Sequence, residues 1–171
     1  MPSVRYSYLE NGPAKQARIM AERIEEFGED YLDGCAHLLV ASFNAEPWNA
    51  KYTLHTAKKE LAWILGIPGF VGLVSVTDEV VAFATGYREP DDVREVFYLK
   101  TFCVRRDVQG TGVGSRLLER LRDHLDESGV NAIYLTTHKG TPAESFYRKH
   151  GYKVSSEDIV MTHEWWHPRR G

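Results

Sequence analysis

Residues 95–125 read EVFYLKTFCVRRDVQGTGVGSRLLERLRDHL, and this stretch decides the fold. Its first part, to Val104, is rich in β-branched and aromatic residues and predicts a strand. A glycine loop, Gln109–Gly114, follows a polar turn, and leucines at 117, 118, 121 and 125 then fall on one face of a helix. Such a loop brings unpaired helix N–H groups and the positive end of the helix dipole to a bound anion. The stretch therefore predicts a phosphate-binding loop.

The spacing of the glycines excludes two common phosphate loops. A P-loop carries a lysine directly after its last glycine, whereas Ser115 and Arg116 follow here. A dinucleotide fingerprint spaces its glycines G-x-G-x-x-G, but this loop reads G-x-G-x-G. The next predicted strand, residues 131–137, also ends in threonines rather than in a ribose-binding acid. The alternative without a ligand is an ordinary glycine-rich turn between a strand and a helix.

Two blocks together resemble a known family. Gln109, Gly112 and Gly114 form the pattern Q-x-x-G-x-G after a strand, which resembles the pyrophosphate loop of the GNAT superfamily of acetyl-CoA-dependent N-acetyltransferases. After residues 131–137, Pro142 is suited to begin a helix and Gly151 to end it. The pattern A-x-x-F-Y-x-x-x-G-Y in this second block is similar to the last block of that family, whose usual form ends in Gly-Phe.

The resemblance implies a fold and a domain organisation. It implies a mixed α/β fold with a mostly antiparallel central sheet of six or seven strands. About four helices flank that sheet, and parallel strands splay apart around the CoA site. We expect residues 16–171 to form one N-acetyltransferase domain after an irregular extension at residues 1–15.

The resemblance also implies the cosubstrate and its binding residues. Acetyl-CoA is expected without a metal ion, and Tyr147 is the expected catalytic acid, which protonates the departing CoA thiolate. The asparagine that the family commonly has seven residues earlier is Gly140 here, so its bond to the pantetheine arm is missing. The expected cofactor-binding residues are Phe102, Cys103, Val104, Gln109, Gly110, Thr111, Gly112, Val113, Gly114 and Ser115.

The general base stays open. Some family members use a glutamate six residues before the position of Val104, and Tyr98 stands there in this chain. The remaining candidates are a water relay or one of four side chains: Glu46, Asp91, Glu95 and His138. An acetylated Cys103 would be an alternative route, but a reactive thiolate needs a base or a positive neighbour, which the sequence does not identify. A buried strand cysteine is the simpler interpretation.

Glu46 and Trp48 are the candidate acceptor-binding residues. They flank Pro47, which disfavours helical geometry at the residue before it, in the connection that borders the acceptor groove of the family. A carboxylate beside an indole can hold an amine by ion pairing and cation–π attraction. The alternative is a solvent-side glutamate and a tryptophan packed on the core.

The expected reaction is transfer of an acetyl group from acetyl-CoA to a primary amine in a ternary complex. Because acids near Glu46 suit a polycation, a small polyamine- or aminoglycoside-like acceptor is preferred. The rival acceptor is a protein N-terminus or lysine. The rival outside catalysis is a regulatory module that binds acyl-CoA without turnover.

Other patterns predict the remaining elements. A strand within residues 17–27 is favoured over a helix, and Glu29 and Asp30 lead into a helix that runs to Phe43. Thr53 caps a helix that ends at Gly66. The other predicted elements are a hairpin of residues 70–76 and 80–87, a loop at residues 89–92, and short strands near residues 152–154 and 159–165.

Composition sets further limits. The chain has 171 residues, 43% of them hydrophobic, which suffices for the core of one domain. A net charge of −3 without a basic face predicts no nucleic-acid partner. Cys35 and Cys103 lie in separate apolar segments, which predicts reduced thiols. Neither a signal peptide nor a membrane-spanning window is found, so we expect a cytoplasmic protein without a membrane partner. A monomer and a homodimer both stay open.

The sequence HEWWH, residues 163–167, matches the zinc-protease pattern His-Glu-x-x-His. That chemistry requires both histidines on one helical face and a third ligand. Apolar alternation from Ile159 to Trp165 predicts a strand instead, which would separate the histidines by roughly 13 Å. We therefore expect no metal site here.

Overall fold

The computed structural model describes residues 22–90 and 95–163. The contacts of the chain divide it into two units, one ending at Thr136 and the other beginning at Thr137. The predicted extension at residues 1–15 and the segments 91–94 and 164–171 lie outside the described residues. No helix in the described ranges is long and apolar enough to cross a membrane.

The first unit contains a sheet and three α-helices within its described part, and the second contains one α-helix. The elements in chain order are β1 (Arg23–Glu26), α1 (Leu32–Phe43), α2 (Leu54–Leu65), β2 (Phe70–Val76), β3 (Val80–Pro90), β4 (Glu95–Val104), α3 (Val113–Glu127), β5 (Ile133–Tyr134) and α4 (Pro142–Lys149). Short 3-10 turns, Glu29–Tyr31 and Arg106–Val108, precede α1 and follow β4.

The five strands lie side by side in chain order, from β1 to β5. All neighbours are antiparallel except β4 and β5, which pair in parallel through Phe97 with Ile133 and Tyr98 with Tyr134. This arrangement confirms the predicted mixed α/β fold with a mostly antiparallel sheet. The hairpin is also confirmed, although β3 continues through Pro90, which pairs with Glu95 where a loop was predicted.

Within residues 22–90 and 95–163 the sheet has five strands, whereas six or seven were predicted. Residues 152–163 form no strand, so the strand predicted near residues 152–154 is wrong. The strand predicted near residues 159–165 is wrong as far as residue 163, and its remainder lies outside the described residues. Alternating apolar residues form a strand only where a neighbouring strand and a core receive them. Here the apolar side chains are 64% to 83% exposed: Val154, Ile159, Val160 and Met161. The strand predicted over residues 131–137 is likewise limited to the two residues that pair with β4.

Helices cover the sheet through apolar stripes. Cys35, Leu38 and Leu39 of α1 pack with Phe83 of β3 in one hydrophobic cluster, to which α2 also contributes Leu61. Helix α3 contacts β2, β3 and β4, and its buried residues include the leucines that the sequence placed on one face: Leu117, Leu118, Leu121 and Leu125. Burial of these stripes is the main term that holds the helices on the sheet.

The predicted cap of α2 is present and reciprocal. The Thr53 hydroxyl accepts from the Thr56 N–H at 3.2 Å, and the Thr56 hydroxyl accepts from the Thr53 N–H at 2.9 Å. Two N–H groups that the helix cannot satisfy are therefore paired locally. This cap sets the start of α2 and with it the direction in which its side chains leave the helix.

Candidate active site

A β-bulge interrupts the pairing of β4 with β3. Thr101 pairs with Thr85 and Leu99 pairs with Gly86, so Lys100 is an extra residue without a cross-strand partner. The two backbones approach closely there, because a Cβ on Gly86 would lie 2.1 Å from the carbonyl oxygen of Tyr98. A bulge turns the following residues and increases the local twist of the strand.

Beyond Tyr98, β4 keeps only one strand neighbour in the described sheet. Cys103 and Val104 pair with β3, while the parallel pairing with β5 has already ended. The edge of Phe102–Val104 that faces away from β3 is therefore not covered by another described strand. The resemblance implied that parallel strands splay apart at such a place, and an extended ligand beside this segment remains a prediction.

The glycine loop has the shape of an anion cradle. Gly110 and Gly112 have φ values of +75° and +90°, in the left-handed region that favours glycine, and Gly112 is the N-cap of α3. The helix begins at Val113, two residues earlier than the sequence indicated, with the Val113 side chain 1% exposed in the core. The first N–H groups of this helix, including that of Gly114, have no carbonyl in a preceding turn.

Two polar side chains of the loop are used to hold its shape. The Gln109 amide donates to the carbonyl oxygen of Val104 at 3.0 Å, and the Thr111 hydroxyl donates to that of Val108 at 2.6 Å. The loop is therefore tied to the end of β4 by Gln109. Backbone N–H groups rather than these side chains are what the loop offers to an anion.

Arg116, in the first turn of α3, was missed by sequence reasoning. Its guanidinium pairs with the carboxylate of Glu22, with Nε 2.9 Å from Oε2, and Nη1 lies 3.5 Å from the carbonyl oxygen of Thr111. The other carboxylate oxygen of Glu22 accepts from the Ser75 hydroxyl at 2.6 Å. Because 94 residues separate Arg116 from Glu22, no local pattern could reveal this pair.

Cys103 faces the core rather than an exposed edge. Its side chain belongs to the cluster under α1, with Sγ 3.8 Å from the carbonyl oxygen of Leu38. Burial raises the pKa of the Cys103 thiol to about 12, although a hydrogen bond with Ser42 lowers it slightly. Thiolate chemistry at neutral pH is thereby disfavoured, so only the backbone of Cys103 is suited to contact a ligand. The neighbouring Phe102 and Val104 are half-buried.

The second unit carries Tyr147 in α4. Pro142 is the first residue of this helix, and the Thr141 hydroxyl caps it by accepting from the Glu144 N–H at 3.3 Å. Tyr147 is half-buried, and its ring centroid lies 5.4 Å from that of Tyr152. Gly140, at the position of the missing asparagine, has a φ of +75° and donates its N–H to Glu144.

The segment between α1 and α2 was predicted either to bind the acceptor through Glu46 and Trp48 or to hold a solvent-side glutamate and a packed tryptophan, and the structure has features of both. Glu46 is exposed to solvent, whereas Trp48 stacks on Phe43 of α1 with ring centroids 5.6 Å apart. Of the other base candidates, Glu95 is exposed with a carboxylate oxygen 3.7 Å from Arg88, and Asp91 lies outside the described residues. His138 belongs to the second unit, where its carbonyl accepts from the Thr141 hydroxyl.

A pocket of about 180 Å³ lies in the first unit between α1, α2 and the bulge of β4. Inside it the Tyr52 hydroxyl donates to the Glu60 carboxylate at 2.7 Å. Burial, followed by that hydrogen bond, raises the pKa of Tyr52 to about 12, so the phenol stays a donor at neutral pH. Six residues line the pocket: Leu39, Phe43, Tyr52, Glu60, Lys100 and Thr101. Sequence reasoning missed it because its walls come from three separate elements.

No cluster of three metal-binding side chains occurs within residues 22–90 and 95–163. His163 is exposed at the end of that range, and Glu164–His167 lie outside it. Since residues 159–163 form no strand, the strand argument for separating the two histidines does not apply to this part.

Sheet, bulge and anion loop together define an acetyltransferase-like domain, and the comparison with known families agrees. The model of the acetyltransferase (GNAT) family matches residues 32–152. The chain therefore belongs to the GNAT acetyltransferase family.

Individual relatives are more distant. An L-2,4-diaminobutyric acid acetyltransferase of Nocardia farcinica is 30% identical over 83 residues, which are 48% of this chain and 42% of the relative. The chain thus spans less than half the length of that curated relative.

Solved structures share the fold at low sequence identity. A transcriptional regulator from Bacillus halodurans has a TM-score of 0.69 at 22% identity, over 83% of this chain and 99% of its own. An aminoglycoside acetyltransferase from an uncultured soil sample, crystallised with sisomicin, has a TM-score of 0.66 at 16% identity. The match covers 87% of this chain and 99% of the aminoglycoside acetyltransferase.

Proposed function

We propose that this protein transfers the acetyl group of acetyl-CoA to a primary amine of a small molecule. The observation that carries the proposal is the cradle at Gln109–Gly114, where two left-handed glycines lead from the open end of β4 into α3. Membership of the GNAT family supports acetyl-CoA as the donor.

The residues of the cradle fit a pyrophosphate. Gly110 and Gly112 present backbone without side chains, and a Cβ on Gly112 would lie 2.8 Å from the Arg116 guanidinium. The N–H groups of the first turn of α3 and its positive dipole end favour a group with two negative charges. Phe102–Val104 would then pair with the pantetheine arm. The bound acetyl-CoA would supply the thioester that the amine attacks.

The chain has groups for each charge that the reaction develops. A backbone N–H of Phe102–Val104 is the proposed donor to the carbonyl oxygen as it becomes negative. The ammonium group first loses one proton to water or a carboxylate, and the neutral amine then forms the nitrogen–carbon bond. As the carbon–sulfur bond breaks, the nitrogen loses a second proton, which replaces the one that Tyr147 donates. Tyr147 donates its hydroxyl proton to the departing thiolate, because a phenol is protonated at neutral pH. The net products are an N-acetyl amine, free CoA and one proton.

A small-molecule acceptor is supported by two similar proteins. The curated relative is named for a diamino acid, and the soil protein is named for aminoglycosides. In this chain Glu46 and Trp48 are proposed at the rim of the acceptor site, since Trp48 stacks on Phe43, which lines the pocket.

The test is CoA release from acetyl-CoA across a panel of amines, with product mass measured for each. The panel contains small amines, diamino acids, aminoglycosides and peptides with a free N-terminus or lysine. We expect release with small amines and little with peptides. Binding of acetyl-CoA without release for any amine would point to a non-enzymatic module, and release with peptides alone would point to a protein acetyltransferase.

A further inference from the structure

We infer that the pocket between α1, α2 and the β4 bulge binds the acceptor, and that this acceptor is a small amine that also carries an anionic group. The inference rests on the proposed function and narrows its substrate class. It assigns Glu60 to the ammonium group and Lys100 to the anionic group, two residues that the sequence did not single out.

Glu60 is the carboxylate that the pocket offers to an ammonium group. It is half-buried on the inner side of α2, and the Tyr52 hydroxyl donates to its Oε2 at 2.7 Å. That bond fixes the position of the carboxylate. A carboxylate held in a partly buried pocket attracts a cation more strongly than the exposed Glu46 does, because solvent screens it less.

The aromatic wall of the pocket also suits a cation. The rings of Phe43 and Tyr52 meet edge to face, with centroids 6.4 Å apart, and Trp48 stacks on Phe43. Rings that support one another in this way present a rigid surface to a ligand. An ammonium group over such a ring gains cation–π attraction in addition to its ion pair with Glu60.

Lys100, which is exposed to solvent, is the positively charged residue among those that line the pocket. As the extra residue of the bulge it has no cross-strand partner, and it lines the same pocket as its neighbour Thr101. A lysine beside the binding site attracts a carboxylate or phosphate and repels an acceptor with several positive charges. This argues against the polyamine- or aminoglycoside-like acceptor expected from the sequence.

The size of the pocket agrees with a small acceptor. A volume of about 180 Å³ corresponds to roughly six waters at their share of liquid volume. It is below the roughly 300–1,000 Å³ of pockets that enclose drug-sized ligands. An amino acid with a short side chain fits within it, whereas an aminoglycoside would leave most of its rings outside.

The pocket also lies where an acceptor is needed. Thr101 directly precedes Phe102–Val104, the segment proposed to hold the pantetheine arm and thioester. The Thr85 hydroxyl, opposite Thr101, is buried and has no hydrogen-bond partner within the described ranges. A buried hydroxyl without a partner is costly, so a ligand or water at the bulge would satisfy it.

The test compares acceptors that differ in one carboxylate. Diamino acids are paired with diamines of the same amine spacing, and kcat/KM is measured from CoA release. We expect the diamino acid to exceed its diamine at least tenfold and Lys100→Met to bring that ratio close to one. Lys59→Met, on the exposed side of α2, is the matched control and should keep the ratio.

The second arm concerns Glu60. Glu60→Gln should raise the KM of every amine at least tenfold while acetyl-CoA affinity, measured by calorimetry, stays the same. Tyr52→Phe should raise KM less, because the carboxylate remains but loses its fixed position. Glu119→Gln, an exposed carboxylate on α3, should change neither quantity.

The outcomes separate the two proposals. The inference is overturned if the enzyme turns over but Lys100→Met does not change the ratio of kcat/KM between diamino acid and diamine. It is also overturned if diamines and aminoglycosides are the preferred acceptors. Either result leaves the proposed acetyltransferase activity standing. Acetyl-CoA binding without turnover of any amine overturns the proposed function. In that case the pocket is tested by itself, by calorimetry of the diamino acid with the wild-type protein and with Lys100→Met. Equal binding by the two proteins, or no binding, overturns the inference about the pocket.

Discussion

Two reactive side chains of the chain differ in their surroundings. The Cys103 thiol is 2% exposed in an apolar cluster under α1. The Tyr147 phenol is half-buried among aromatic rings of the second unit, those of Phe146 and Tyr152. Acid–base work needs a group that can exchange a proton with a ligand, and a thiol enclosed in the core cannot do so.

Tyr147→Phe tests the proposed acid. The substitution keeps the ring and its contact with Tyr152 and removes only the hydroxyl. We expect kcat to fall roughly 10- to 1000-fold while acetyl-CoA affinity changes little. Tyr152→Phe is the control, because it removes a hydroxyl from the same aromatic group and should keep kcat. A Tyr147→Phe enzyme with normal kcat would assign the proton to water or another residue.

The Cys103 thiol should not react in the native protein. Burial raises its pKa to about 12 from an ordinary value of 9.0, so we expect negligible alkylation by iodoacetamide at pH 8 and rapid alkylation after unfolding. Because the folded-state pKa is the higher one, this group favours folding below about pH 9 and loses that contribution as pH rises towards 12. Mass spectrometry after mixing with acetyl-CoA should detect no acetylated Cys103. A labelled or acetylated native Cys103 would contradict this assignment.

Among the elements, the junction of β4 with α3 combines an unusual backbone with a helix end. Gly112 is the N-cap of α3 with a φ of +90°, and Gln109 ties the loop back to Val104. A residue with a side chain at this φ is strained by roughly 1–2 kcal/mol. The strain would be relieved by moving the N–H groups that form the cradle.

Gly112→Ala should therefore weaken acetyl-CoA binding at least tenfold, or about 1.4 kcal/mol, by calorimetry. Gly129→Ala is the matched control at the other end of α3. Its φ of +85° is nearly the same, and its added Cβ meets nothing within 4 Å. Gly112→Ala should lose at least as much stability as Gly129→Ala, because its Cβ also crowds the Arg116 guanidinium, but only Gly112→Ala should lose affinity. Equal affinity of the two variants would refute the placement of the pyrophosphate.

Within the first unit, an ion pair joins two residues that lie 94 positions apart in the sequence. The Glu22 side chain, 4% exposed, pairs with Arg116 at the start of α3, whose side chain is 43% exposed. Removing the Arg116 guanidinium leaves the Glu22 carboxylate buried without its cation, while the Ser75 hydroxyl still donates to it. The cost of such a change exceeds the value of the ion pair itself.

Arg116→Met should lower the free energy of unfolding by about 2 kcal/mol, measured by urea denaturation. The double variant with Glu22→Gln should recover part of this loss, because no buried charge remains unpaired. Arg120→Met is the control on the same helix. Its pair with Glu127 is exposed on both sides, so its loss should be below about 1 kcal/mol. Equal losses for Arg116→Met and Arg120→Met would show that the Glu22 contact contributes nothing special.

Local signals in the sequence determined the strand–loop–helix at residues 95–125, the cap at Thr53, the start of α4 at Pro142, and the hairpin of β2 and β3. Each depends on residues within a few positions of one another, so turn chemistry, capping and apolar periodicity suffice to predict it. The GNAT family followed from two such local blocks, around Gly112 and around Tyr147.

Only the tertiary structure decided what depends on distant partners. The bulge at Lys100 arises from its register with β3, and the pocket with Glu60 needs three elements in contact. The apolar residues after Gly151 alternate as a strand would but have no strand beside them. Periodicity states which side chains could share a face, whereas pairing and burial depend on where the rest of the chain lies. For this reason the glycine loop could be predicted from the sequence, whereas the meeting of Glu60 and Lys100 in one pocket could not.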